Sequence, residues 1–266
     1  MPLLHLLLVA IIQGITEFLP VSSSGHLILL PRLTGLDDQG QLIDVAVHLG
    51  TLGAVILYFR QDSVKALRGL GHLMTFKMTP AAQLAMLLII ATVPAVLFGA
   101  VLKLTGLSDG LRSISVIGWT MLIFGIVLWI ADTRGAEVKT SDRWTVRDAV
   151  IMGLWQALAL IPGTSRSGAA ITGARALGYA REDGTRLAML MSIPVIIASG
   201  VLIGGEAVAE ANVEGLRDGA IAAVFAFFSA LLALSLMMRL LRAVNFTPYV
   251  IYRVGLGIVL LWIAYS

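Results

Sequence analysis

Glu17, Ser23, His26 and Arg166 are the residues of this chain whose chemistry fits least with their neighbours. They stand in two polar stretches, Gln13 to His26 and Gln156 to Gly168, each set inside an apolar run. An ionised group in hydrocarbon costs at least ~3 kcal/mol, so residues of this kind are usually kept for function. In the first stretch Gln13 and Glu17 are four apart and share one helical face. Glu17 could hold a divalent cation with Gln13 as a neutral oxygen ligand, because hard cations take oxygen donors. It could instead orient His26. Pro20 ends the helix, Ser22, Ser23 and Ser24 follow on a turn, and His26 comes directly after Gly25. A seryl hydroxyl beside a histidine that a carboxylate orients is the logic of an activated nucleophile. The plainer reading is that the serines only cap the next helix and His26 is a satisfied interior histidine.

In the second stretch Arg166 carries the information. Its guanidinium is always charged and its planar fork suits phosphate oxygens. Gly163, Thr164, Ser165, Ser167 and Gly168 frame it with hydroxyls and with backbone amides able to approach an anion. No Gly-Lys-Ser/Thr phosphate loop is present. The plainer reading pairs Arg166 internally with Glu17 or Asp44. Taken together, the two stretches combine a carboxylate, a serine and a histidine with an anion clamp, which is the equipment for phosphoryl transfer. Asp44 and His48, four apart at the start of a span, could join this site or line its edge.

These groups need elements to hold them at membrane depth. Apolar segments long enough to span occur near 43–59, 83–102, 113–131, 187–204, 219–238 and 249–265. Two further apolar regions, about 3–30 and 149–180, are broken at Pro20 and at Pro162-Gly163. Irregular backbone at that depth survives only inside protein or beside a wet cavity. The spacing therefore predicts a pair of broken or re-entrant helices meeting near the middle of the bundle. Gln13 to Gly25 is the same step as Gln156 to Gly168, which predicts an inverted-topology repeat, with halves near 1–132 and 133–266 of a single domain. Thr92-Val-Pro94 and Ser192-Ile-Pro194 kink two spans and would echo that repeat. The fold class expected is an all-α polytopic membrane protein with about six spanning helices plus the broken ones.

Composition agrees. Hydrophobic residues make up 58% of the 266 and charged residues 13%, with a mean hydropathy of +0.91, against roughly 25% charged in soluble domains. The net charge of +3 reports basic cytoplasmic loops and not nucleic-acid binding. Those loops are 60–77, 134–147 and the neighbourhood of Arg239 and Arg242. The acidic segment 205–218, with Glu206, Glu210, Glu214 and Asp218, reads as external. Counting from these anchors puts the C-terminus outside and leaves the N-terminal side open. Met1 to Ile12 reads as retained and not as a signal peptide. Tyr249, Tyr252, Trp262 and Tyr265 read as an interfacial belt, and Arg175 and Arg181 as helix-end residues. With no cysteine, thiol nucleophiles and Cys-based metal sites are excluded.

The two stretches resemble the signatures of the bacterial undecaprenyl-diphosphate phosphatase family, known also for bacitracin resistance. The first signature is carried by Gln13, Glu17, Phe18 to Val21, Ser22, Ser23, Ser24, Gly25 and His26, and the second by Pro162 to Gly168. The run Pro248 to Arg253 extends the resemblance over nearly the whole chain. Many members carry Glu where Gln13 stands, which leaves this chain one carboxylate fewer for a metal.

The resemblance implies hydrolysis of undecaprenyl diphosphate to the monophosphate and inorganic phosphate, recycling the lipid carrier for peptidoglycan synthesis. It implies dependence on a divalent cation (Mg2+ or Ca2+), a place in the bacterial inner membrane, and a site open to the extracytoplasmic face. By motif position Ser23 is the nucleophile and His26 its base or the acid. Glu17 orients His26 or binds metal with Gln13. Arg166 clamps the diphosphate, and Ser22, Ser24, Gly25, Gly163, Thr164, Ser165, Ser167 and Gly168 line it. His26 as nucleophile and a metal-activated water are alternatives within the family. The rival class is a lipid flippase or transporter that binds the same head group without cleaving it. A homodimer is compatible with either reading.

Overall fold

A computed structural model of the chain describes residues 1–35, 37–111, 113–209 and 212–266. Its helices are α1 (Leu3–Phe18), α2 (Ser23–Thr34), α3 (Gly40–Tyr58), α4 (Arg60–Met74), α5 (Pro80–Thr105), α6 (Leu107–Gly110), α7 (Ile114–Arg134), α8 (Val146–Leu158), α9 (Arg166–Ala176), α10 (Arg181–Ala209), α11 (Val213–Leu240) and α12 (Thr247–Tyr265). Among the described residues six of these are long and apolar enough to cross a membrane: α3, α5, α7, α10, α11 and α12. The protein is a multi-pass, all-α membrane protein. Large apolar side chains such as Phe228, Leu232, Ile251 and Ile258 stand exposed on its outer surface, as hydrocarbon-facing positions should.

Helix starts are written into the sequence. The side chains of Thr79, Ser113, Thr145 and Asn212 each accept a hydrogen bond from the backbone N–H three residues on, capping α5, α7, α8 and α11. One segment departs from the sequence reading. Residues 60–77 are mostly the helix α4 and not a loop. Its apolar Gly69 lies against Ala81 of α5 while Arg60, Lys65 and Arg68 point outward, the pattern of a helix lying on the membrane surface. Between α10 and α11, Glu210 and the side chain of Glu206 lie outside the described residues.

Two sets of contacts define the ends of the bundle. At one end Asp132 of α7 accepts from Arg175 at 2.9 Å, from Arg181 at 2.8 Å and from the backbone N–H of Phe246 at 3.0 Å. Arg186 pairs with Asp62 at the same end. Tyr179 donates to Asp148, and burial followed by that carboxylate pushes its phenol above the ordinary range. Arg175 and Arg181 are thus the helix-end residues expected from the sequence. At the opposite end the N-terminal amine of Met1 pairs with Asp218 at 2.8 Å, and Trp119 meets Tyr265.

The short helices α1 and α2 therefore form a hairpin entering from the Met1 end, and α8 and α9 form one entering from the basic end. Asp132 is fully buried and so is Arg175. Asp132→Ala is expected to destabilise the folded protein by about 3 kcal/mol, because it removes the buried carboxylate shared by Arg175, Arg181 and the Phe246 N–H and leaves Arg175 with carbonyls and the half-exposed Glu137. Thermal unfolding in detergent checks this, and an unchanged midpoint would count against it.

Candidate active site

The tips of the two hairpins meet in the bundle. Both are made by a serine in the left-handed region, Ser22 at φ 69° and Ser165 at φ 70°. This backbone is costly for a non-glycine residue and is held here by local bonds. Ser22 Oγ bonds Ser24 Oγ at 3.0 Å, and Ser165 Oγ bonds Ser167 Oγ at 3.1 Å. The tips are also tied to each other. The N–H of Gly163 donates to Ser24 Oγ at 3.1 Å, and Ser167 Oγ donates to the carbonyl of Leu19 at 3.0 Å. Gly163 has φ +88°, and a Cβ there would lie 2.1 Å from Thr120 Oγ1, so only glycine fits.

Beneath these tips lies a cavity of about 430 Å3. Gln13, Glu17, Ser23, Ser24, Ser165 and Arg166 are on its wall. Glu17 is the hub. One carboxylate oxygen accepts from Gln13 Nε2 at 2.8 Å and from Ser23 Oγ at 3.0 Å. The other is in tight contact with the Arg166 guanidinium. Carboxylate, hydroxyl and guanidinium are thus brought together from the two hairpins, with Glu17 and Arg166 149 residues apart in the chain. The pairing of Arg166 with Glu17 is the one named in the plainer sequence reading. Its position on a cavity wall leaves the guanidinium partly exposed and within reach of an anion.

His26 is placed differently from the expectation that Glu17 orients it. Its Nδ1 bonds the Ser22 carbonyl at 2.7 Å, so Nδ1 carries the proton, and Nε2 accepts from the Tyr252 hydroxyl at 2.6 Å. Both ring nitrogens are occupied, and the ring braces the Ser22 turn. Tyr252, half exposed on α12, is thereby a partner of His26.

Two glycines expected to offer amides to an anion do not. The N–H of Gly163 goes to Ser24, and that of Gly168 to Ser165 Oγ, which caps α9. Gly25 serves packing, since a Cβ there would lie 2.5 Å from Met121 Sδ. No side chain caps α2, and its first turn, with Ser23 and Ser24, opens on the cavity, where a helix N-terminus favours an anion. Thr164 Oγ1 is buried without a partner.

Asp44 and His48 do join the site. His48 Nδ1 donates to the Asp44 carbonyl at 2.6 Å, and Nε2 accepts from Gln13 at 3.2 Å. Two residues with no role foreseen from the sequence are also present. Gln156 is buried on the cavity wall, and neither amide atom has a partner. Its position opposite Gln13 in the duplicated spacing was the available signal. Arg253 of α12 donates to the carbonyls of Gly163 at 3.1 Å, Thr164 at 2.8 Å and Pro20 at 3.4 Å. It staples both turns, and a charge in the middle of an apolar span was the available signal.

The oxygen donors fit a hard cation that completes its shell from a phosphate and water. Glu17 supplies a carboxylate, and Gln13 Oε1 is a buried acceptor without a partner. Among the described residues no cluster of three His, Asp or Glu forms a closed metal cage.

Comparison with known proteins places the chain in a family. The family model described as Bacitracin resistance protein BacA matches residues 6–259. A protein of Ruegeria pomeroyi (strain ATCC 700808 / DSM 15171 / DSS-3) named Undecaprenyl-diphosphatase is 69% identical over all of both chains. One of Dinoroseobacter shibae (strain DSM 16493 / NCIMB 14021 / DFL 12) with the same name is 66% identical, again over all of both. One of Maricaulis maris (strain MCS10), also so named, is 44% identical over 98% of each chain. With family signatures on both turn tips and the match running almost end to end, the chain belongs to the bacitracin resistance protein BacA family.

Proposed function

We propose that this protein hydrolyses undecaprenyl diphosphate to undecaprenyl phosphate and inorganic phosphate, recycling a lipid carrier for peptidoglycan synthesis. The observation that carries the reading is the convergence of Glu17, Ser23 and Arg166 on one cavity, in a chain whose relatives are named for this reaction. Arg166 takes the diphosphate oxygens by its planar fork, exchanging part of its pairing with Glu17 for the substrate. Ser23 Oγ attacks the terminal phosphorus and passes its proton to Glu17, while the P–O bond to the lipid phosphate breaks. Water then releases phosphate from Ser23 and the proton returns. His26 acts from behind, holding the Ser22 carbonyl and with it the turn that aims Ser23. A divalent cation held by Glu17 and Gln13 would supply charge neutralisation of the diphosphate.

The transport alternative finds no support among the relatives, and a carrier has no need of Ser23 bonded to a carboxylate. Matching serine turns in hairpins that enter from opposite ends support two inverted repeats, about 1–132 and 133–266. Pro94 and Pro194 do not echo that repeat, since they lie in α5 and α10, and α10 follows its hairpin as α3 does. The basic end reads as cytoplasmic. The cavity reaches Asp38 and Gln39 near the Met1 end, which supports a site opening to the extracytoplasmic side of an inner membrane.

The test is phosphate release from undecaprenyl diphosphate by purified protein, with and without chelator, beside Ser23→Ala. The expected result is cation-dependent release, with kcat lowered ~10²-fold or more in Ser23→Ala and KM little changed. Absence of release from folded protein under varied cations would overturn the reading. A defect in KM alone would move the nucleophile away from Ser23.

A further inference from the structure

A second cavity, of about 450 Å3, lies between α3 and α10 and shares Asp38, Asp44, His48 and Ser199 with the active-site cavity. Its walls are two parallel tracks set by helical spacing. On α3, Asp44 and His48 are four apart and line both cavities, while Gln41, Val45 and Leu49, four apart on the neighbouring track, line only the second. On α10, Ser199 lines both cavities, while Ile196 and Gly200 line only the second. The inner track is thus mostly polar and leads to Arg166, and the outer track is apolar from Val45 onward, with Gln41 at its head. The outer track also borders the lipid-facing surface, since Leu49 is 50% exposed and the neighbouring Ile197 and Val201 are 47% and 75% exposed. Gly200 keeps the cleft open, and a Cβ there would meet only Leu49, at 3.9 Å.

The level of this cleft follows from the helix positions. Asp44 to Leu49 are in the first half of α3, and Ile196 to Gly200 are far along α10 from its basic-end start at Arg181. The cleft therefore sits in the half of the bilayer away from the basic end.

We infer that this cleft is the lateral portal for the prenyl chain of a lipid diphosphate, a reading that rests on the phosphatase assignment above. The head group, arriving as its divalent-cation complex, moves along Asp44, His48 and Ser199 to Arg166. The chain stays against Val45, Leu49, Ile196 and Gly200 with its length in the hydrocarbon. An amphiphile needs this side-by-side arrangement, because drawing its chain into a polar cavity would expose apolar surface to water.

Two measurements test this. The first uses the unaltered full-length protein in lipid nanodiscs and a prenyl diphosphate bearing a photoreactive diazirine on its first isoprene units. Adducts mapped by mass spectrometry are expected on residues 45–49 and 196–201. Adducts confined to other helices would overturn the portal. The second compares Gly200→Leu with the unaltered protein on two substrates, undecaprenyl diphosphate and water-soluble geranyl diphosphate. The kcat/KM for the long substrate is expected to fall about tenfold while that for the short one holds, the size of effect that a hydrophobic channel contact gives. An equal loss on both, or none on either, would overturn the portal. Unaltered protein that cleaves neither substrate contradicts the phosphatase reading instead, and the adduct map then still decides where the chain lies.

Discussion

Arg166→Ala is expected to lower turnover of undecaprenyl diphosphate by about 10³-fold or more, the scale at which an arginine on a transferring phosphoryl group acts. Arg166 is the single Arg or Lys among the described residues on the cavity wall, so no neighbouring guanidinium or ammonium replaces it. Arg166→Lys separates two roles. If Arg166 were only a strut for Glu17, lysine would restore the ion pair and most of the activity. A clamp on phosphate oxygens needs the planar fork, so the lysine variant is expected to stay severely impaired. Purified protein with an unchanged melting profile is the sample to measure, with kcat and KM on both variants. Near-normal turnover in the alanine variant would remove the clamp assignment.

Glu17→Gln carries the second large effect. Glutamine keeps the shape and can still contact Gln13 and Ser23, but it cannot take the Ser23 proton. A fall in kcat of ~10²–10⁴-fold is expected, the usual worth of a positioned base. Release of Arg166 from its carboxylate favours substrate binding and loss of the cation's carboxylate opposes it, so kcat at saturating cation and substrate reads the base role. Because the residues touch, the double variant should lose less than the product of the two single losses. A Glu17→Gln protein with near-normal kcat would take the base role from Glu17.

Much of the fold was legible because hydropathy and helix breaking are local properties. The six spans follow from runs of apolar residues, and the two hairpins from Pro20 and Pro162-Gly163 interrupting runs too apolar to leave the membrane. The duplicated spacing from Gln13 and Gln156 located the turns that make the site. The segment 60–77 was read as a loop because its charges dominate a linear scan. Its docking against the bundle depends on Gly69, whose missing side chain lets α4 lie close on Ala81 of α5.

The sequence by itself determined the membrane class, the family, the two turns and the residue types on them. Tertiary structure decided which of those residues meet. Ser23 and His26 are both polar residues of α2, close in sequence, and nothing in their spacing says that the hydroxyl points to Glu17 and the imidazole to Tyr252 of α12. For Gln156 and Arg253 the duplicated spacing and a charge within an apolar span mark the position and not the role. They became functional candidates when burial left the amide of Gln156 without a partner and three carbonyls of the turn tips converged on Arg253. A hydrogen-bond partner is set by side-chain direction across helices far apart in the chain, and local periodicity carries no information about that direction.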